Sequence, residues 1–421
     1  MAILDDIAGR ILILDGAMGS LLQQGCTEEE ALRAYVDTGA DIITTNSFTA
    51  NRISQEMSGH ADDAPRMALE AARRAREIAD RAGRKVYVAG SVSATGKSLS
   101  LPSDAADPTI RPVSFEGMRA CFREQIAALV EGGADLILLE TWFDALNAKA
   151  AICALGDLGN PLPVMISATV SDRSGRTLTG QTLEAFYRSV EHTPGLVAFG
   201  INCALGAEAM VRLVAEVSSF SHHALIFYPN AGIPDVFGRY NDSPETIARV
   251  MAGLSAKGLL NIAGGCCGTT PAHIEAIASA LRGSAPRPVP KPDGLLHVSG
   301  LEAVTVDRSR NFTNVGERTN VAGSRKFAKL IAAKSYDEAI AVAAAQIEGG
   351  ADIIDINMDD PMLDSASGMR DFLRCISGEP VVAKAAVMID SSHWETILEG
   401  LENAQGKCIV NSISLKEGEE E

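Results

Sequence analysis

The chain has 421 residues, 46% of them hydrophobic, and a formal net charge of −17. This length predicts two domains rather than one, and the 54 acidic against 37 basic residues argue against nucleic acid as a partner, since phosphates would stay unneutralised. No apolar run approaches the roughly 20 residues that cross a bilayer, and residues 1–6 lack the basic region of a signal peptide. We therefore expect a cytoplasmic protein with no membrane partner. Its eight cysteines favour metal or catalytic thiols among them over disulfides.

Residues 1–283 repeat one unit, a short apolar run followed by a polar loop and an amphipathic helix such as Ala64–Arg81 or Ser114–Glu131. Nearly all-apolar strands that alternate with helices predict a parallel sheet covered on both faces. Eight units predict closure into a complete (β/α)8 TIM barrel. An open doubly wound sheet is the alternative, but no GxGxxG loop follows the first run. The eight predicted strands are Ile11–Leu14, Asp41–Thr45, Val86–Ala89, Leu136–Leu139, Val164–Ala168, Ala198–Ile201, Leu225–Tyr228 and Leu260–Ala263.

A proline-rich linker is predicted at residues 284–298, because every second position from Pro286 to Pro292 is proline. The strand–helix rhythm then resumes over residues 299–421, with a helix at Tyr336–Glu348. A barrel needs eight strands, so this second α/β domain is predicted to be about half of a β/α barrel. The alternative is a small four-stranded module that is complete in itself. Its predicted strands are Phe312–Val315, Ile353–Ile356, Val387–Ile389 and Cys408–Ile413.

Thiol groups follow two of the predicted strands, at the end where a TIM barrel places its active site. Cys203 follows the sixth strand, and Cys266 and Cys267 follow the eighth. Thiolates suit Zn²⁺, which keeps an open position beside three protein ligands in catalytic sites. Adjacent residues of a regular strand point to opposite faces, so the vicinal pair needs the irregular backbone that its flanking glycines allow. The sequence therefore predicts a three-cysteine zinc site. The remaining cysteines are interpreted as ordinary core residues: Cys26, Cys121, Cys153, Cys375 and Cys408.

The predicted site also suggests its substrate. Zinc held by three thiolates activates water poorly but suits a substrate thiol, whose pKa falls on coordination while its sulfur stays nucleophilic. At the same rim, Asp15 and Glu140 are candidates for holding the ammonium group of an amino-acid thiol, and the backbone N–H groups of Gly16 and Ala17 for its carboxylate. Alternatively, Asp15 caps the following helix and Glu140 is solvated. The predicted reaction is attack of a bound thiolate on an electrophilic methyl group.

Motifs at the strand ends carry a resemblance as well. DGAMGS, TNSF, LLETW, INCALG, YPNAG and GGCCGTTP together resemble the homocysteine S-methyltransferase domain, over the whole predicted barrel. The second domain resembles the pterin-binding domain of cobalamin-dependent methionine synthases through NFTNVGERTNVAGSRKF, GADIIDINMDD, VMIDSSHW and IVNSISLKEGE. The order of the two domains is also that of this family.

The resemblance implies that the three cysteines bind Zn²⁺, that homocysteine sulfur takes the last position, and that Asn230 is a weak oxygen ligand displaced by substrate. It also implies that Asp15 and Glu140 hold the amino-acid end of homocysteine. In the second domain it implies pterin contacts from strand-end residues whose amides and carboxylates suit a flat, donor-rich ring. These residues are Asn320, Asp355, Asn357, Asp390 and Asn411.

The resemblance further implies methylcobalamin, carried by a cobalamin-binding domain or protein, as methyl donor, and methyltetrahydrofolate as the ultimate methyl source. We expect the chain to depart from the family, because residues 299–421 carry only four predicted strands of a pterin barrel and no cobalamin-binding region. A half barrel has an open strand edge and no opposite wall for the pterin residues, so we expect folate binding to be weak or absent. Two alternatives are a stand-alone homocysteine S-methyltransferase with a sulfonium or betaine donor, and a non-catalytic fragment that only binds zinc and thiol.

Overall fold

The computed structural model describes residues 2–412, and its first sheet has eight parallel strands in the order β1-β8-β7-β6-β5-β4-β3-β2. The sheet closes on itself between β1 and β2, where the amide of Asp41 donates to Ile13 at 2.7 Å and that of Asp15 to Ile42 at 3.0 Å. The predicted complete barrel is confirmed, and every predicted run overlaps a strand. The strands are β1 (Leu12–Ile13), β2 (Ile42–Thr44), β3 (Tyr87–Ser93), β4 (Leu136–Trp142), β5 (Val164–Ala168), β6 (Leu196–Gly206), β7 (Ala224–Asn230) and β8 (Ile262–Ala263).

Helices surround the barrel, and several of them begin at residues whose side chains cap the helix. The hydroxyl of Ser114, for example, accepts the amide of Gly117 at the start of the helix that was predicted over Ser114–Glu131. Two short 3₁₀ turns, Glu56–Ser58 and Ala61–Asp63, precede α5. The helices are α1 (Ala2–Gly9), α2 (Met18–Gln23), α3 (Glu28–Asp37), α4 (Arg52–Gln55), α5 (Ala64–Asp80), α6 (Phe115–Glu131), α7 (Ala145–Asp157), α8 (Leu183–Val190), α9 (Ala207–Phe220), α10 (Pro244–Ala256) and α11 (Pro271–Leu281).

The alternation of side chains along each strand separates an outer shell, packed under the helices, from an inner shell that fills the barrel. Inner residues include Leu14, Leu138 and Ile226. Helix α1, which the sequence did not predict, closes the amino-terminal end of the barrel with Ile3 and Ile7. Toward the carboxyl-terminal end the inward positions change from apolar to polar. These upper positions are Ser91, Glu140, Ser167, Asn202, Tyr228 and Asn230. The interior is therefore a packed core with a polar layer below the rim.

The second domain contains four parallel strands in the order β11-β12-β13-β14, preceded by an antiparallel hairpin of β9 and β10. A partial second barrel is thus confirmed, and Tyr336–Glu348 is helical as predicted. The elements are β9 (Leu296–Ser299), β10 (Ala303–Val306), β11 (Val315–Asn320), α12 (Arg325–Ala332), α13 (Tyr336–Glu348), β12 (Ile353–Asn357), α14 (Ser365–Ile376), α15 (Pro380–Ala383), β13 (Ala386–Asp390), α16 (Trp394–Asn403) and β14 (Ile409–Asn411).

One predicted strand of this domain is wrong in position. Phe312–Val315 was expected to be a strand, but Phe312 is 76% exposed and β11 begins only at Val315. The strand contains polar residues and a register shift between Gly316 and Thr319, so no apolar run marks it. The last predicted strand, Cys408–Ile413, corresponds to β14, and Ile413 lies outside the described residues.

The proline-rich segment is fastened to the first barrel. Residues 284–295 have no regular structure, and β9 begins at Leu296, within the last residues of the predicted linker. Arg287 is 4% exposed, and its guanidinium donates to the carbonyls of Ser218, Ser221 and His223 at 2.7–3.0 Å. The linker is therefore held by a buried side chain.

The two domains also contact each other directly. Lys149 of α7 donates to the carbonyl of Ala404 at 3.0 Å, and Lys407 pairs with the half-buried Glu191 at 2.8 Å. Within residues 2–412, no helix is long and apolar enough to cross a membrane.

Candidate active site at the carboxyl-terminal rim

The three cysteines singled out in the sequence lie together at the rim of the first barrel. Their sulfur atoms are all within 4.8 Å of one another, and those of Cys203 and Cys267 are 3.9 Å apart. A Zn–S bond is about 2.3 Å long, which places tetrahedral sulfur ligands about 3.8 Å apart. The cluster therefore has the donor type and spacing to hold one metal ion.

The backbone of β6 turns Cys203 toward the cluster. Cys203 and Ala204 both have φ of 59°, in the left-handed region that residues with a side chain rarely adopt. The pairing of β6 with β7 is interrupted at the same place, between Cys203 and Gly206. Such a bulge re-aims a side chain next to a functional site.

Cys266 and Cys267 lie in a turn after β8 rather than in a strand. The amide of Cys266 donates to Pro229 at 2.8 Å, and the carbonyl of Cys267 accepts the amide of Ala231 at 2.9 Å. Gly268 has φ of 78°, and a Cβ at Gly265 would lie 2.4 Å from the hydroxyl oxygen of Thr269. These glycines allow the turn in which adjacent side chains reach one site.

The ionisation of these thiols is coupled because they touch. Hydrogen bonds from Cys203 and Cys266 lower the pKa of the Cys267 thiol. Hydrogen bonding to Cys203 and Cys267, and then burial, raise the pKa of Cys266 well above its usual value. The cluster consequently ionises first at Cys267, and a metal that binds all three sulfurs must displace the remaining protons.

Asn230 ends β7, the strand between the two that carry the cysteines. The residue is 4% exposed, and its Oδ1 atom is buried without a hydrogen-bond partner among the described residues. A buried carbonyl oxygen without a donor is unusual in folded proteins. It has the chemistry of a weak cation ligand.

Asp15 lies two residues after the end of β1 and is 2% exposed. Its Oδ2 atom accepts the amide of Thr44 at 2.7 Å and the hydroxyl of the same residue at 3.0 Å. Burial raises the pKa of Asp15 to about 7 in spite of these bonds. The residue does not cap the next helix, because the N-cap of α2 is Ala17.

Glu140, on β4, is the second carboxylate of the rim and is 9% exposed, so it is not the solvated group of the alternative interpretation. The hydroxyl of Ser91 donates to it. Burial raises the pKa of Glu140 to about 7, against the effect of that bond. Both rim carboxyls are therefore buried in sites that favour a cationic partner.

The backbone donors near Asp15 are only partly free. The amide of Ala17 donates to the hydroxyl oxygen of Thr269 at 3.2 Å, so an incoming carboxylate would have to replace that contact.

A cavity of about 530 Å³ opens beside Asp15 at the rim and is lined by Gly16, Ala17, both carboxylates and the three cysteines. A cavity of about 700 Å³ at the amino-terminal end of the barrel contains none of the predicted site residues.

Among the inward residues of the polar layer, the sequence analysis did not single out Ser91, Asn202 or Tyr228. Ser91 bonds Glu140, Asn202 contacts the sulfur of Cys266 at 3.7 Å, and the buried hydroxyl of Tyr228 lies near Glu140. Ser91 and Asn202 lie within two residues after the end of a predicted apolar run, and Tyr228 is the last residue of such a run. The period-two alternation of the strands, continued past the apolar residues, would have placed them in the barrel.

The second domain brings its predicted residues into one row. Asn320, Asn357, Asp390 and Asn411 are successive partners across the four strands β11 to β14. The amide of Asn357 donates to Asp390 at 2.9 Å. Asp355 lies two residues earlier on β12, and burial, then the charge of Asp390, raise its pKa to about 6. A continuous polar surface of amides and carboxylates results.

Comparison with known proteins agrees with these features. Residues 12–281 match the family model of homocysteine S-methyltransferase, and residues 316–421 match that of pterin binding enzymes. The oxidized form of the homocysteine methyltransferase MmuM from Escherichia coli is 24% identical, with a TM-score of 0.53 over 64% of this chain and 95% of its own. Its metallated form is also 24% identical, with a TM-score of 0.52 over 66% of this chain and 98% of its own. These likenesses show a shared fold. A region that matches pterin binding enzymes follows the barrel in the sequence, and this order is consistent with the amino-terminal part of a methionine synthase. The chain is a methyltransferase that belongs to the homocysteine S-methyltransferase family.

Proposed function

We propose that this protein methylates the sulfur of homocysteine to give methionine, with Zn²⁺ held by Cys203, Cys266 and Cys267. Membership of the family supports homocysteine as acceptor. The observation that carries the proposal is the group of three sulfur atoms within 4.8 Å of one another, in a cavity shared with two buried carboxyls. A structural zinc site would use four protein ligands and would have no adjoining cavity.

The donor set fits zinc, because three thiolates and one weak oxygen, Oδ1 of Asn230, leave a position that a substrate can take. When bound, the ion would lower the pKa of the homocysteine thiol and keep its sulfur nucleophilic. The solved metallated form of the fold relative MmuM is in keeping with a metal in this family.

The chain's own residues would hold the amino-acid end of homocysteine. Asp15 and Glu140 are buried carboxyls with raised pKa values, and an ammonium group between them would favour their ionised forms. The amide groups of Gly16 and Ala17 would receive the substrate carboxylate, with Thr269 giving up its contact to Ala17. Fixed at that end, the substrate would have its thiol directed to the cysteine cluster.

The methyl donor is proposed to be methylcobalamin on another domain or chain, recharged from methyltetrahydrofolate. The match of residues 316–421 to pterin binding enzymes supports this donor over a sulfonium or betaine. On the second sheet, the proposed pterin contacts are the aligned residues Asn320, Asn357, Asp390 and Asn411, with Asp355 beside them.

The metal is tested by analysis of the purified protein. We expect one zinc per chain, lost in Cys266→Ser and kept in Cys121→Ser, which changes a buried cysteine of the outer core. Equal zinc content in both variants would contradict the proposed ligand set.

The donor is tested by following methionine formation from homocysteine with methylcobalamin, S-methylmethionine or betaine. Turnover with methylcobalamin supports the proposal, and turnover only with S-methylmethionine or betaine identifies a stand-alone methyltransferase. No turnover with any donor, in a protein that binds zinc, would identify a non-catalytic binding module.

Weak folate binding by this chain stays a prediction, tested by calorimetric titration with methyltetrahydrofolate. The four described strands offer the pterin residues on one side only. A micromolar dissociation constant would contradict it, and in that case Asp355→Asn should weaken binding if the pterin contacts are assigned correctly.

A further inference from the structure

Asn202 is a fully buried residue of β6 to which the proposed function gives no role. Its Oδ1 atom accepts the amide of Thr141 at 3.1 Å and the hydroxyl of Ser167 at 2.7 Å. Its Nδ2 atom donates to the hydroxyl of Thr141 at 2.8 Å and faces the sulfur of Cys266 at 3.7 Å. Every hydrogen-bonding position of the side chain is therefore used, across β4, β5 and the turn after β8.

The orientation of this amide follows from the chemistry of its partners. The backbone N–H of Thr141 can only donate, so the oxygen of Asn202 must face it. The NH₂ group then points to the opposite side, where Cys266 lies. A thiolate there receives an N–H donor, and a hydrogen bond to a charged acceptor is stronger than one between neutral groups.

Thr141 connects this contact to the substrate cavity. Its φ is 60°, in the left-handed region, and the register of β4 with β5 shifts between Leu139 and Trp142. A threonine holds such a conformation only when its surroundings fix it, and Asn202 bonds both its amide and its hydroxyl. The preceding residue is Glu140, so one side chain links the proposed ammonium site to a proposed metal ligand.

We propose that Asn202 is a positioning residue that orients the Cys266 sulfur and tunes its electron donation, while holding Thr141 so that Glu140 faces the cavity. The inference rests on the proposed metal site. It gives Asn202 a role in addition to those of the proposed zinc ligands and homocysteine contacts. Partners of this kind typically change metal affinity by about 10- to 100-fold when removed.

The test uses the full chain with Co²⁺ in place of zinc, because its sulfur-to-metal charge-transfer band reports the electron density on the thiolates. The variants are Asn202→Ala and Asn202→Leu, the second of which fills the space and admits no substitute water. Ser167→Ala is the matched control, since it removes one bond to the same amide without touching sulfur. Circular dichroism of each protein checks that it is folded.

We expect the charge-transfer band of both Asn202 variants to move to longer wavelength, because a sulfur that loses an N–H donor releases electrons more easily. Their Co²⁺ affinity, measured against a competing chelator, should fall by about 10- to 100-fold, and that of Ser167→Ala by much less. An unmoved band, an equal loss in the control, or failure of both Asn202 variants to fold would overturn the inference. If the parent protein binds no Co²⁺, the proposed metal site itself fails, which is a different result.

Discussion

Glu140→Gln should make the metal-free protein more stable and its substrate binding weaker. The carboxyl is buried, and its pKa rises from 4.5 to about 7 on folding. A group with a raised folded-state pKa costs nothing below pH 4.5, where it is protonated in both states. The cost grows as pH increases to about 7 and is complete above it. At about 1.4 kcal/mol per pKa unit, the full cost approaches about 3 kcal/mol, which glutamine would remove.

The assay is thermal unfolding of chelator-treated parent and variant at pH 5 and pH 8. For a barrel of this size, 1 kcal/mol shifts the melting temperature by about 2–4 °C, so Glu140→Gln should exceed the parent by several degrees at pH 8 and by little at pH 5. Glu275→Gln, on an exposed position of α11, is the control and should show no such trend. The reasoning would be refuted if the difference in melting temperature between variant and parent were the same at both pH values. It would also be refuted if the parent were more stable than the variant at pH 8.

The same substitution should raise the dissociation constant of homocysteine in the metal-loaded protein. A hydrogen bond to a charged group contributes about 1.5–3 kcal/mol, and about 2 kcal/mol corresponds to a factor of about 30. A substrate-binding carboxylate is thus expected to give higher stability of the metal-free protein but weaker homocysteine binding when it is replaced. Replacement of a structural carboxylate would lower both the stability and the affinity.

Three further outcomes follow from the structure. Gly265→Ala should destabilise the barrel by about 1–3 kcal/mol and abolish metal binding, because its Cβ would overlap a neighbouring side chain, whereas Gly253→Ala, with open space around it, should do neither. Air oxidation after chelation should join Cys203 to Cys267, whose sulfurs are 3.9 Å apart, so thiol titration should fall by two and reduction should restore metal binding. Arg287→Ala should lower the melting temperature of the barrel and expose residues 284–295 to proteolysis, and unchanged cleavage would contradict the anchoring role of this side chain.

Much of the first barrel could be predicted because its strands are apolar on both faces. Runs such as Val164–Ala168, identical to β5, need no alignment to be recognised. The cysteines could be placed for the same reason, since the end of an apolar strand marks the rim. The resemblance supplied the identity of the substrate, which the residues alone restricted to an amino-acid thiol.

The parts that escaped prediction are polar or local. The strand β11 carries Glu317 and Arg318 and has no apolar run, so it was placed too early in the chain. The role proposed for Asn202 depends on hydrogen bonds to residues 61 and 64 positions away. Such contacts follow from barrel closure and leave no spacing in the sequence to detect.

The anchoring of Arg287 has a consequence for how a methyl group can arrive. The linker is bonded to the first barrel through this side chain, and Lys407 pairs with Glu191 across the domain boundary. These contacts join the linker and the second sheet to the first barrel. Under the proposed function, a methyl carrier on another domain would have to move between the second sheet and the rim of the first barrel, and the length of its linker would set the local concentration of methyl groups at the rim.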